Sequence, residues 1–108
     1  MKCIVVPTTA EAMERLDLDQ CLPGDLLEWK LSAQDYAALC DSGVFSALNQ
    51  ALGILIDDYE DAAIQGQAAL SLALATVSPI VGEAALGQQW VQLNRTALAY
   101  NTGLFFYF

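Results

Sequence analysis

The stretch Leu104-Phe105-Phe106-Tyr107-Phe108 carries four aromatic side chains in five residues and is a strand by propensity. An exposed sheet edge with so many aromatic side chains would promote aggregation, so we expect this strand to pair inside a sheet. Its simplest neighbour is Lys2 to Val6, a short segment with β-branched residues that stops at a proline. The sheet is therefore predicted to join the two ends of the sequence.

A third strand is predicted from Leu26 to Leu31, where apolar and charged side chains alternate with the period of a sheet that buries one face. The preceding Leu22-Pro23-Gly24-Asp25 is typical of a turn, because Pro presets φ at the second position and Gly accepts positive φ at the third. Within the strand, Trp29 is expected to anchor the core rather than to bind a ligand, since aromatic side chains bury the most area in a small domain.

Helical spacing of apolar residues accounts for most of the remaining chain. We predict helices from Ala10 to Asp17, from Ser32 to Asp41, from Val44 to Leu52, from Ala62 to about Val77 and from Pro79 to just before Gly103. The third helix is expected to end at a left-handed Gly53, which releases Ile54-Leu55-Ile56 as a short inner strand. The alternative is a helix that continues through Gly53 to Tyr59.

Capping residues precede several of these helices. Either Thr8 or Thr9 can cap the first, and Thr8 and Glu11 have the spacing of a capping box. Asp61 and Ser78 are expected to cap the fourth and fifth helices, with Pro79 at the favoured first position of the latter. The expected buried lines are Ile64, Ala68, Leu72 and Ala75 in the fourth helix, and Leu86, Trp90, Leu93, Ala97 and Tyr100 in the fifth.

These elements predict one α+β domain over residues 1–108, because a chain of this length can bury only one core. About five helices are expected to pack on a small sheet formed by the N- and C-terminal strands plus one or two short inner strands. The uncharged run from Ala62 to Gly82 contains Gln, Ser, Thr, Gly and Pro and much of the rest is Ala, so we interpret it as a buried helix and not as a membrane span.

The charge is distributed very unevenly along the chain. Residues 1–61 hold 12 Asp or Glu and three Lys or Arg, a net charge of −9, whereas residues 62–108 hold only Glu83 and Arg95. With four basic residues in all, the chain lacks the cations that nucleic acid or an anionic membrane surface requires. A basic protein is the partner class that this charge favours. The simpler explanation is that the acids only confer solubility.

Few catalytic arrangements are open to this composition. Histidine is absent, which excludes Ser-His-Asp and Cys-His catalysis, and neither a P-loop nor a dinucleotide-binding glycine pattern occurs. Cys3, Cys21 and Cys40 lack metal-ligand spacing and are expected to be reduced and buried in a cytoplasmic protein. We therefore expect no catalytic residues, no cofactor and no metal site.

Partner binding is predicted for Asp57, Asp58, Tyr59, Glu60 and Asp61, with Asp35 and Asp41 as further candidates. An aromatic side chain among carboxylates is typical of interaction hot spots, where carboxylates meet Arg or Lys of the partner. The alternatives are a solvated turn that caps a helix, a calcium site and a pair of catalytic carboxylates. The alternating acids and central Gly of a calcium loop are missing.

Several stretches together suggest a family: Leu-Glu-Trp-Lys-Leu-Ser at 27–32, Gly-Val-Phe-Ser-Ala-Leu-Asn at 43–49, Ile56 to Asp61 and Thr102 to Tyr107. In these stretches the chain resembles small acidic immunity proteins encoded beside bacterial polymorphic or contact-dependent toxins. The resemblance implies a cytoplasmic protein that binds and blocks a cognate toxin domain. It also implies that the acidic segment faces the basic active site of the toxin.

Three functions are compatible with these features. The first is an immunity protein that neutralises a toxin through an acidic surface without catalysis, as a monomer or a homodimer. The second is an acidic homodimeric chaperone or adaptor for an exported protein, in which the uncharged second half forms the dimer surface. The third is a small enzyme that acts through its carboxylates.

Overall fold

The computed structural model describes residues 2–108 and contains five helices and four strands within that range. In chain order they are β1 (Lys2–Pro7), α1 (Ala10–Asp17), β2 (Leu26–Leu31), α2 (Ala33–Ser42), α3 (Val44–Leu52), β3 (Asp61–Gln65), α4 (Gln67–Val81), α5 (Ala85–Tyr100) and β4 (Gly103–Tyr107). The predicted α+β class is confirmed. Over the described part of the chain, no helix has both the length and the apolar composition needed to cross a membrane.

The four strands form one antiparallel sheet in the order β2-β1-β4-β3. The predicted pairing of the first and last strands is confirmed, since Ile4 lies opposite Phe106 and Val5 lies opposite Phe105. On the other side of β1, Trp29 of β2 lies opposite Ile4. β1 and β4 are thus the central strands, and β2 and β3 form the two edges.

One face of the sheet is covered by α2 to α5, and the other is covered in part by α1. Ile4 and Val6 belong to the main core, which includes residues of α2, α3, α4 and α5. Because neighbouring residues of a strand point to opposite faces, Val5 points the other way, where α1 packs against β1. Val5 and Ala12 of α1 are both buried there.

Aromatic side chains form the centre of the main core. The Trp90 ring of α5 lies 6.5 Å from that of Trp29, 5.9 Å from that of Phe45 and 5.6 Å from that of Phe106, measured between centroids. These separations lie in the range of favourable aromatic pairs. Trp29 is buried, as predicted for a core anchor. The cluster joins the sheet to α3 and α5.

The first half of the chain folds largely as predicted, with α1 and β2 at the predicted bounds. Thr9 caps α1, and its hydroxyl oxygen accepts the Ala12 N–H at 2.9 Å. The Thr8 hydroxyl instead donates to the Asp25 carbonyl at 3.1 Å. The capping box predicted for Thr8 and Glu11 is therefore wrong.

Gly53 ends α3 with φ +64°, as predicted, but Ile54-Leu55-Ile56 is not a strand. Ile56 is buried, and the side chain of Asn49 holds its backbone. The Ile56 N–H donates to Asn49 Oδ1 at 2.7 Å, and Asn49 Nδ2 donates to the Ile56 carbonyl at 3.1 Å. A side-chain amide carries both a donor and an acceptor, so it replaces the strand partner that this segment lacks.

The largest error of the sequence prediction concerns residues 61–77. Asp61 does not cap a helix, because Asp61–Gln65 forms β3 and α4 begins after Gly66. Ile64 is buried as expected, but it lies in β3. The line predicted to be buried along Ala68, Leu72 and Ala75 is exposed. α4 instead buries Leu70, Ala73 and Val77.

The boundary between α4 and α5 also differs from the prediction. Pro79 lies inside the last turn of α4, and the Ser78 hydroxyl donates to the Leu74 carbonyl at 2.7 Å instead of capping α5. A left-handed Asn101, φ +56°, ends α5, whereas Gly103 is the first residue of β4. α5 buries Trp90 and Ala97 as predicted, half-buries Leu86 and Leu93, and leaves Tyr100 exposed.

The expectation of buried thiols is wrong for two of the three cysteines. Cys21 follows α1 and Cys40 lies on α2, and both are exposed. Cys3 is partly buried in β1, and this burial raises the pKa of its thiol. Within residues 2–108, no group of three or more Cys, Asp or Glu is placed to hold a metal ion.

Candidate protein-binding surface

The predicted site residues 57–60 form an exposed loop after the buried Ile56, and Asp61 is the first residue of β3. We call residues 57–61 the acidic turn. The Asp57 carboxylate accepts the Asp58 N–H at 2.8 Å. The Asp57 carbonyl accepts the Glu60 N–H at 3.3 Å. These two hydrogen bonds close the turn on itself.

Lys2 of β1 ties the acidic turn to the sheet. Its ammonium pairs with the Asp58 carboxylate and donates to the Phe108 carbonyl at 3.1 Å. Nζ also lies 4.6 Å from the ring centroid of Tyr36 and 5.6 Å from that of Tyr59, within the range of cation–π contacts. Because the Lys2–Asp58 pair is partly exposed, it contributes at most about 1 kcal/mol, but it neutralises one carboxylate of the turn.

Tyr59 has an unusual backbone conformation at the centre of the turn. Its φ is +63°, in the left-handed region that a bulky residue seldom adopts. The Tyr59 N–H donates to the Phe108 carbonyl at 3.0 Å, which fixes this conformation. The side chain is nevertheless 91% exposed. Backbone strain at Tyr59, together with an exposed ring, favours a role of this ring in binding.

Three carboxylates of the acidic turn, those of Asp57, Glu60 and Asp61, form no salt bridge within residues 2–108. Besides the Lys2–Asp58 pair, residues 2–108 contain an ion pair between Arg15 and Asp25, 2.7 Å apart, which is distant from the acidic turn in sequence. The three free carboxylates therefore keep their negative charge available for a partner.

Tyr36 of α2 lies near the acidic turn. Burial of the phenol, then the neighbouring Cys40, and then the nearby Asp58 and Asp57 raise the pKa of Tyr36 to about 12. Tyr36 packs edge-on against Phe108, with centroids 5.1 Å apart. One end of α2 therefore lies beside the acidic turn.

Asp35 and Asp41, the other two predicted site residues, lie on α2. Asp35 is in the first turn, next to Tyr36, and its N–H donates to the capping hydroxyl of Ser32 at 3.0 Å. Asp41 is exposed near the other end, about 9 Å further along the helix axis at a rise of 1.5 Å per residue. No hydrogen bond within residues 2–108 joins either side chain to the acidic turn, so their part in binding stays a prediction.

Four residues that position the acidic turn were not predicted from the sequence: Lys2, Tyr36, Asn49 and Phe108. Asn49 follows the helical spacing of an outward-facing residue, and its proximity to the helix end at Gly53 is the only local sign of its role. Lys2 and Phe108 meet the turn only because β1 and β4 are neighbours. No local sequence pattern reports that contact.

The acidic turn is thus an exposed, hydrogen-bonded and net negative surface with a protruding aromatic ring. Such a combination suits contact with a basic protein, since aromatic anchors and desolvated charge pairs dominate binding energy. Comparisons with protein-family models, with curated proteins and with solved structures find no match for this chain.

Proposed function

We propose that this chain is an inhibitory binding protein of the immunity type, which neutralises a basic toxin domain in the cytoplasm through the acidic turn and without catalysis. The observation that carries the proposal is the placement of Tyr59. Its ring is 91% exposed at a left-handed backbone position, among three carboxylates that have no ion pair within residues 2–108.

The energetics of such a contact depend on the exclusion of water. An exposed ion pair contributes about 0.2–1 kcal/mol, whereas charge pairs inside a protein interface have coupling energies of about 1.5–7 kcal/mol. The Tyr59 ring provides the apolar area that can exclude water around neighbouring carboxylates. Lys2 and Asn49 hold the turn in place before binding, which lowers the entropy cost of association.

Affinity capture of the tagged full chain from its native cell, with identification of the partner by mass spectrometry, tests the proposal. The expected partner is a basic protein domain whose toxicity is suppressed when this chain is co-expressed. A partner without excess basic charge, or a toxin that stays active inside the complex, would rule out the immunity function. Tyr59→Ala should weaken capture of the same partner.

A homodimeric adaptor is the second candidate, and the outer face of α4 favours it. Residues 67–81 contain no charged side chain, and Leu72 and Ile80 are 45% and 37% exposed. Two copies that each carry a net charge of −9 repel one another least where they meet through an uncharged face.

Light scattering of the purified chain tests the homodimeric adaptor. The adaptor requires a dimer that Leu72→Asp converts to a monomer and that Ser46→Asp, the same charge change on an exposed position of α3, leaves intact. A monomer in the absence of any client would exclude the homodimeric adaptor and leave the immunity function in place.

A further inference from the structure

The sheet face that α1 covers is only half closed. α1 lies against β1, and the surface of β4 and β3 beside it stays open. The floor of this opening consists of Phe105 and Tyr107 of β4 and Ala63 of β3, all half-buried. Met13 and Leu16 of α1 form its wall. We call this opening the sheet groove.

The other half of the same face, on β2, has a different character. Lys30 lies opposite Cys3 and Glu28 lies opposite Val5, so both charged side chains are on the groove side of the sheet, and both are exposed. Charged side chains of this kind suit a surface that faces water. The β3–β4 half instead has an aromatic floor next to an edge strand, which favours coverage by another element.

The size of the sheet groove fits a single helix. It consists of two adjoining hollows of about 420 and 310 Å³, which share Asp17, Gln65 and Phe105. Neighbouring strands are about 4.8 Å apart, so β4 and β3 lie about 5 and 10 Å from β1. Packed helices are about 8–10 Å apart, so a helix placed beside α1 would lie over these two strands.

The border of the sheet groove is acidic. Glu14 and Asp17 lie on the α1 side and Asp61 lies on β3, and no Lys or Arg lines either hollow. Arg15, the one cation of α1, is held by two hydrogen bonds of 2.7 Å to the Asp25 carboxylate. Burial and then the charge of Asp61 raise the pKa of Tyr107 on the groove floor.

A second copy of this chain does not match that border. Each copy has a net charge of −9, and the helices within residues 2–108 contain only Arg15 and Arg95 as cations. Like charges placed opposite one another at an interface disfavour association. The complementary occupant is a helix with basic side chains along an apolar stripe.

We propose that the sheet groove docks one basic amphipathic helix of a partner protein, with the apolar stripe on the aromatic floor and Lys or Arg toward the acidic border. This inference rests on the proposed function, because Asp61 belongs to both the acidic turn and the groove border. The toxin domain that contacts the acidic turn would then place one helix beside α1.

A synthetic peptide pair tests the docking of a basic helix on the unaltered full chain. One peptide of Leu, Ala, Lys and Arg carries an apolar stripe at helical spacing, and the other is a scrambled isomer of the same composition and charge. Amide NMR spectra of the isotope-labelled protein at low salt locate the bound peptide. The striped peptide is expected to shift the amides of Asp17, Ala63, Phe105 and Tyr107 and to bind at least about tenfold more tightly than its isomer.

Two matched variants separate groove contact from general electrostatic attraction. Ala63→Lys puts a cation on the groove floor and should weaken the striped peptide at least about tenfold. Ala38→Lys makes the same change of charge at an exposed position of α2 and should weaken it less than about twofold. Unfolding curves of both variants show that each is folded.

The outcomes that overturn the sheet groove differ from those that overturn the acidic turn. Equal affinity of the two peptides, or shifts confined to residues 57–60, would refute groove docking and leave the proposed function standing. Absence of any shift with either peptide at low salt would refute both, because neither acidic surface would then attract a basic ligand.

Discussion

Replacement of Tyr59 by Gly should change the free energy of unfolding by no more than about 1 kcal/mol while weakening partner binding. The left-handed backbone, φ +63°, costs a residue with a Cβ about 1–2 kcal/mol. The greater freedom of glycine in the unfolded chain offsets about 0.4–1 kcal/mol of the relief. The ring is 91% exposed and stabilises the fold only through its contact with Lys2, about 0.5 kcal/mol.

Tyr59→Ala provides the matched comparison, because it loses the ring contact and keeps the backbone strain. Tyr59→Gly should therefore be more stable than Tyr59→Ala by about 0.5–1 kcal/mol. With a urea m value of about 1.5 kcal/mol per molar, the unfolding midpoints should differ by about 0.5 M. A Tyr59→Ala protein that is the more stable of the two would refute the left-handed assignment.

The same two variants test the role of the ring in binding. Both should bind the captured partner at least about tenfold more weakly than the wild-type protein, because both remove the aromatic anchor. Unchanged affinity in both variants would remove the Tyr59 ring from the interface, whatever their stabilities.

Three further predictions concern the stability of the fold. Asn49→Ala removes both hydrogen bonds to the Ile56 backbone and should lower the free energy of unfolding by about 1–3 kcal/mol. It should also speed amide hydrogen exchange over residues 54–60, and unaltered exchange there would contradict the role of Asn49. Gly87→Ala should destabilise by about 1–3 kcal/mol, because an added Cβ would lie 2.2 Å from Val81 Cβ and 2.7 Å from Val81 Cγ2. Val81→Ala removes the Cγ contact but keeps Cβ, so it should recover only part of that loss; strict additivity in urea unfolding would count against the clash. The pKa of Asp25 is lowered from 3.8 to about 2, first by a hydrogen bond from Arg15, so the stabilisation of the fold by this carboxylate is complete above pH 3.8 and is lost as the pH falls toward 2. Asp25→Asn should make the loss of folding stability between pH 3.8 and 2 less steep, and an equally steep loss in this variant would refute the role.

Strands with strong local signals could be predicted from the sequence. β4 is aromatic, β1 is β-branched, and β2 alternates apolar and charged residues. β3 could not be predicted, because Asp61-Ala62-Ala63-Ile64-Gln65 is rich in alanine, which has low strand propensity. Its strand conformation depends on pairing with β4, in which Ile64 lies opposite Leu104, about 40 residues away in sequence. Because β3 was predicted as part of a helix, the predicted start of α4 and its predicted buried face were also wrong.

For the candidate site, the sequence predicts its composition but not its support. Four acids around one tyrosine are evident at residues 57–61. The left-handed Tyr59 and the neutralised Asp58 depend on Lys2 and Phe108, which are 106 positions apart and meet only through the pairing of β1 with β4. Contacts between segments so distant in sequence leave no local pattern.

The central claim is that the free carboxylates of the acidic turn bind a basic protein. Its most direct test is the dissociation constant for the captured partner as a function of salt, measured for the wild-type protein and two variants of equal net charge. One variant combines Asp57→Asn, Glu60→Gln and Asp61→Asn, and the control combines Glu11→Gln, Glu28→Gln and Glu83→Gln at exposed positions elsewhere. We predict that the first loses at least about 2 kcal/mol, about thirtyfold in affinity, with a weaker salt dependence, while the control stays within about threefold of wild type. Equal losses in the two variants, or no loss in the first, would contradict the claim.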